Sequence, residues 1–111
     1  MNIIILSGRL TKDIELRYAG ETAVCNFNLA VKRDFAKTGE ERQSDFFSIV
    51  IWSKLAEIVS KNCIKGQMIT IMGRLQARSY ETDGVTKYIT EVVAEKVDFG
   101  AKPKDSNEES Y

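Results

Sequence analysis

Three stretches of this chain alternate strictly between apolar and other side chains, a period of two that fits a half-buried β-strand. In the run 23–33, Cys25, Phe27, Leu29 and Val31 alternate with Asn26, Asn28, Ala30 and Lys32. In 45–52, Phe47, Ile49 and Ile51 alternate with Phe46, Ser48, Val50 and Trp52. In 67–80, Ile69, Ile71, Gly73, Leu75 and Ala77 take the inward positions. Met68, Thr70, Met72, Arg74, Gln76, Arg78 and Tyr80 take the outward ones. A slip of one residue would turn each apolar set to water, so the two faces of every strand can be told apart.

The segments between these runs supply the remaining elements. Ile3 to Leu10 reads as a first strand, followed by a polar stretch to Gly20, and residues 36–44 form a charged loop. Ser53 is placed to cap a helix over Lys54–Ile64, in which Leu55, Ile58, Val59 and Cys63 fall at helical spacing. Lys65-Gly66 supplies a basic last turn and a glycine stop. The turn 81–86 holds Asp83-Gly84, a hairpin signal, so a last strand over Lys87–Phe99 pairs back on the run 67–80. Three strands, a helix and a hairpin make an all-β domain, a five-stranded OB-fold barrel with one α-helix between strands three and four. From Gly100 the composition turns polar, so residues 1–100 are expected to form the domain and 101–111 a short disordered tail.

Composition excludes several chemistries. The chain of 111 residues contains no histidine, which removes His-ligated zinc and Ser-His-Asp or Cys-His catalysis. Cys25 and Cys63 belong to no C-x-x-C pair and read as buried thiols outside any disulfide. No metal site, cofactor or catalytic residue is expected, and nuclease activity least of all. No apolar run approaches the roughly 20 residues of a membrane span, and the first residues lack the pattern of a signal peptide. A cytoplasmic protein is the expectation. Sixteen Lys and Arg balance sixteen Asp and Glu. Electrostatic binding then depends on whether the basic residues share a face.

Alternation puts several of them on outward positions, and strand register decides whether those adjoin. Lys32, Phe46, Trp52, Arg74, Arg78 and Tyr80 all fall on outward positions. Aromatic rings that stack bases, worth about 1–3 kcal/mol per base, and cations that hold phosphates are the parts a single-strand binder needs. A duplex hides its base faces, so the mixture favours single strands. Each residue also has a plainer use: Trp52 suits a subunit interface, Phe46 a core rim, Tyr80 a hairpin flank, and the arginines a solvated face.

Several motifs in one order now resemble the bacterial single-stranded DNA-binding protein family. They are Ile4-Ile5-Leu6-Ser7-Gly8-Arg9-Leu10 with Asp13 to Tyr18, Phe27-Asn28-Leu29-Ala30-Val31, Ser53-Lys54-Leu55-Ala56-Glu57, Lys65-Gly66, Gly73-Arg74-Leu75 and Tyr88 to Ala94. The resemblance covers about residues 2–99. It implies sequence-tolerant binding and protection of single-stranded DNA in replication, recombination and repair, without enzymatic activity. By motif it puts the family's base-stacking aromatics at Phe35, Phe46, Trp52 and Tyr80. It puts basic contacts at Lys32, Lys54, Lys65, Arg74 and Arg78, and further ones at Arg9 and Lys87. It also implies a homotetramer that pairs through first strands and sheet faces. Two departures stand out. Ile14 replaces a common proline, and the acidic tip that recruits partner proteins in the family is not found before Tyr111, so such recruitment is not expected. On the same barrel, a dimeric primosome component and an RNA-binding chaperone are the rival readings.

Overall fold

The computed structural model describes residues 1–100. The elements run β1 (Ile4–Leu10), β2 (Arg17–Ala19), β3 (Thr22–Lys32), β4 (Ser44–Trp52), α1 (Ser53–Asn62), β5 (Met68–Thr82) and β6 (Val85–Phe99). The sheet order is β1-β5-β6-β4-β3-β2, and β1 also pairs with β3. That pairing closes β1, β5, β6, β4 and β3 into a ring, with β2 hanging on the edge of β3. Every contact is antiparallel except β4 with β6, where Ile49 lies beside Val92 and Val50 beside Val93. A five-stranded ring with its helix between β4 and β5 is the expected oligonucleotide-binding architecture. The expected tail over 101–111 lies outside the described residues.

The inward residues fill the ring as their alternation requires. Leu10, Cys25, Leu29, Ile49, Ile51, Ile69, Ile71 and Val92 are at most 2% exposed, and Ala56 and Val59 of α1 cover one end of the core. Full burial of each large aliphatic side chain contributes about 1.5–3 kcal/mol. Cys25 and Cys63 are both buried, and burial first, then the nearby Cys63 thiol, pushes Cys25 up from 9.0 to about 11.

Six local expectations are corrected. Leu75 and Ala77 are exposed, because β5 runs past the end of β1 at Gly73 while β6 stays in the ring as far as Val92, and beyond that the two strands go on as a two-stranded ribbon. Val50, an outward residue, is only 4% exposed, because it packs with Val24 and Val93 in a small second cluster on the outer surface. The polar stretch before Gly20 contains the three-residue strand β2, which is wholly exposed and too short to show alternation. Ser53 does not cap α1: the N-cap is Trp52, with no side-chain cap, and Ser53 takes φ 63 to turn the strand directly into the helix. Gly66 lies beyond the helix, in a turn closed by the Gln67 N–H on the Ile64 carbonyl at 3.1 Å. Its own N–H donates to the Leu10 carbonyl at 2.8 Å, tying the helix exit to β1. The helix itself stops at Asn62, and Ile58 of its stripe is 39% exposed.

At one point β5 and β6 come unusually close. The register shifts between Met72, opposite Lys96, and Gly73, opposite Ala94, so Glu95 is an extra residue bulged out of β6. A Cβ at Gly73 would sit 2.0 Å from the Val93 carbonyl oxygen, which leaves glycine alone able to occupy the position. The far end closes in the tight Asp83-Gly84 turn predicted by the sequence, with Thr82 directly opposite Val85. Both turn residues have positive φ, the geometry that suits a two-residue hairpin.

Candidate nucleic-acid interface

Residues directly opposite one another in a ladder share a face, so register converts the outward positions into rows. Arg9 lies opposite Ala30, and Ala30 opposite Phe46. Further along β4, Ser48 faces Asn28 and Val50 faces Asn26. Trp52 faces Val24, and Val24 faces Arg17 on β2. Val50 also neighbours Val93, which lies opposite Arg74. Arg78 pairs with Ile89 and Tyr80 with Lys87 out on the ribbon.

Phe46 and Trp52 therefore stand on one face of one strand, six residues or roughly 20 Å apart. They are 64% and 45% exposed. Between them lie Ser48 beside Asn28 and Val50 beside Asn26, with both asparagines exposed and Val50 4% exposed. Phe35 is 87% exposed in the loop beyond β3. The base of that loop is pinned by Arg33, whose Nε and Nη2 donate to the two carboxylate oxygens of Asp45 at 2.9 and 2.8 Å. The bonds from Arg33 hold the Asp45 carboxyl below its ordinary range, and Asp45 raises Arg33 in turn. Lys32 sits at the end of β3 opposite Ser44, one pair beyond Asp45 and two beyond Phe46. Lys54 lies two residues after Trp52, in the first turn of α1, and is exposed.

The arginines are less available than sequence suggests. Arg74 Nη2 donates to Gln76 Oε1 at 3.0 Å, and its Nη1 is 3.6 Å from Glu95. Arg78 Nε donates to Glu91 Oε1 at 3.0 Å, and the Glu91 side chain is 7% exposed. A phosphate at either arginine would share it with a carboxylate. Lys65 lies at the helix exit, where its N–H donates to Asp13 Oδ1 at 2.7 Å, and Arg9 donates to the Gly66 carbonyl at 2.8 Å. Apart from Lys65 and Arg9, tied to the helix exit, the predicted set separates into three groups. Lys32 and Phe46 share one end of the β3–β4 face, with Phe35 in the loop beyond. Trp52, Lys54 and, two strands away, Arg74 mark the other, while Arg78, Tyr80 and Lys87 stand apart on the ribbon.

Arg17 was missed by sequence reasoning. It shares the Trp52 row and donates from Nη2 to Asn26 Oδ1 at 2.7 Å. The signal was the tight turn of Gly20 and Glu21 between Ala19 and Thr22, with Gly20 at φ 67. Such a turn implies a hairpin and puts Arg17 on the same side as Val24.

Known proteins share this arrangement of sequence. The profile of the Single-strand binding protein family matches residues 1–100. Single-stranded DNA-binding protein 2 of Clostridium acetobutylicum is 50% identical over 113 residues, covering 99% of this chain and 84% of that protein. Single-stranded DNA-binding protein 2 of Listeria monocytogenes is 48% identical over 98% of this chain and 69% of its own length. Single-stranded DNA-binding protein of Bacillus cereus is 52% identical over 89% of this chain and 59% of its own length. Closed barrel, aromatic strand face and matches across the whole described region together make this chain a member of the single-strand binding protein family.

Proposed function

We propose that this protein binds single-stranded DNA with little regard to sequence and protects it during replication, recombination and repair. The observation that carries the reading is the pair of exposed rings, Phe46 and Trp52, standing on one face of one strand. Stacking on a ring accepts any base, because every base has a π face, and requires that the base be unpaired. Phe35 and Tyr80 extend the stacking positions, while Lys32, Lys54, Lys65, Arg74 and Arg78 hold phosphates. Binding of this kind makes and breaks no covalent bond, so it calls for neither a cofactor nor a catalytic residue. Affinity falls as salt rises, because each neutralised phosphate releases counterions.

Titration of Trp52 fluorescence with an oligothymidine strand tests the reading. Saturable quenching is expected, weakened at high salt and absent with duplex DNA of equal length. Equal quenching by duplex would overturn it, and stronger competition by matched RNA would point to an RNA chaperone instead.

The working form is a homotetramer in the cytoplasm. Supporting it, Ile5 on the outer face of β1 is 62% exposed opposite Met72, and Ile3 just before the strand is 64% exposed. An apolar strand face of this kind suits pairing with a second copy. Among the described residues no helix is long and apolar enough to cross a membrane. Light scattering should give the mass of four subunits, whereas two would favour a primosome-type scaffold.

A further inference from the structure

A row of cations without carboxylate partners runs along the outer face of α1. Lys54 and Lys61, seven residues apart, fall on one face of the helix with Ile58 between them, and all three are exposed. At about 1.5 Å of rise per residue the two lysines stand roughly 10 Å apart along the axis. Lys65, exposed in the turn beyond the helix, continues the row. Arg9 joins it there, its Nη1 donating to the Gly66 carbonyl at 2.8 Å. Trp52 is the N-cap of α1, and Ser53 at φ 63 turns the strand into the helix, so the row begins directly beside the exposed ring.

Among the described residues none of these four cations makes an ion pair. Glu57, half-buried, lies between the two helix lysines in sequence and pairs with neither. The Asp13 carboxylate accepts from the Lys65 backbone N–H, not from its ammonium. The ribbon is arranged in the opposite way. Residues 74–95 set Arg74, Arg78 and Lys87 against Glu81, Asp83, Glu91 and Glu95, and both arginines are held by carboxylates. Between residues 53 and 66 three lysines stand against Glu57 alone. A phosphate at the ribbon arginines competes with a carboxylate, whereas one at α1 displaces only water and counterions.

We propose that a single strand stacked on Trp52 continues over the outer face of α1, where Lys61 holds a phosphate between those held by Lys54 and Lys65. It rests on the reading that bases stack on Trp52, and it adds Lys61 to the phosphate contacts. An ammonium is a point charge on a flexible stem, so a row of lysines follows a phosphodiester backbone without fixing base identity. Ile58, apolar and set between the two lysines, brings no competing charge to that path.

The test is the salt dependence of binding, read by fluorescence anisotropy with a labelled oligothymidine of about 12 nucleotides, a length within the reach of one OB fold. Each phosphate contact on a single strand adds about 0.7 to the slope of log affinity against log salt. Lys61→Ala should therefore flatten the slope by about 0.7 and weaken binding about fivefold at about 0.1 M salt, the loss fading toward about 1 M. Lys61→Arg should keep the original slope, and Lys61→Glu should lower affinity further. Lys61 is exposed, so all three variants should melt like the parent protein, which separates a lost contact from a lost fold. A slope unchanged by Lys61→Ala overturns the proposal and leaves the row to an acidic protein segment. Trp52→Ala tests the underlying reading separately. It should weaken binding with the slope retained, and if affinity does not move, stacking fails whatever Lys61 does.

Discussion

The two halves of the β5–β6 hairpin share one alternation and have opposite fates. In the near half, Ile69 and Ile71 are buried, while every β5 residue from Leu75 to Thr82 is exposed. Both halves are paired in register, from Ile69 opposite Phe99 to Thr82 opposite Val85. Hydrogen-bonded pairing therefore makes the strand, but a second layer is what buries its face. A bare two-stranded ribbon is marginal by itself, so the far half borrows its order from the barrel into which it runs.

Truncations at matched positions should split the halves most widely. Ile71→Ala opens a cavity in a close-packed core and should cost about 2–5 kcal/mol. Leu75→Ala, on the same parity four residues along, should cost less than about 1 kcal/mol because 44% of that residue is already in water. Urea denaturation of both variants checks the contrast; equal losses would mean that the ribbon packs against something in solution. Glycines give the next contrast. Gly73→Ala forces β6 backbone to move and should cost about 3 kcal/mol. Gly84→Ala, with open space but φ 77, should cost about 1 kcal/mol and loosen only the tip in hydrogen exchange.

Titration should again act on the barrel alone. Cys25 is raised by burial, so the folded state holds its proton more tightly than the unfolded chain. The stability from this group is complete below pH 9 and is lost between about 9 and 11, by about 2–3 kcal/mol. Denaturation midpoints across that range check it, and Cys25→Ser should flatten the decline. The last contrast is an ion pair of the ribbon. Arg78→Ala strips a partner from the largely buried Glu91 carboxylate and should cost about 1 kcal/mol, the arginine being half in water. If Arg78→Ala matched Ile71→Ala, the ribbon would be as integral to the fold as the barrel.

Much of the site was legible before any coordinates. Alternation alone set Phe46, Trp52, Arg74, Arg78 and Tyr80 on outward positions, and register keeps all of them on the outer surface. Phe35 belongs to no strand, so periodicity was silent about it and only family resemblance pointed there. Arg17 escaped because a three-residue strand shows no period. Leu75 and Ala77 misled for the opposite reason: their period is correct, yet period does not report where a covering layer ends. Ser53 looked like a cap by residue type, but a strand that runs straight into a helix makes it the hinge.

The residue order determined which side of each strand is apolar, because a side chain's direction along an extended backbone is a local property. It also determined the Asp83-Gly84 turn, which needs two residues tolerant of positive φ. Tertiary structure alone decided the rest. Ring closure between β1 and β3 brings Arg9 into the Phe46 row, and pairing of β2 with β3 brings Arg17 into the Trp52 row. The bulge at Glu95 lets Arg74 meet one carboxylate, and the ribbon gives Arg78 another. These are contacts between residues distant in sequence, and their geometry depends on register, closure and twist, which no local pattern encodes.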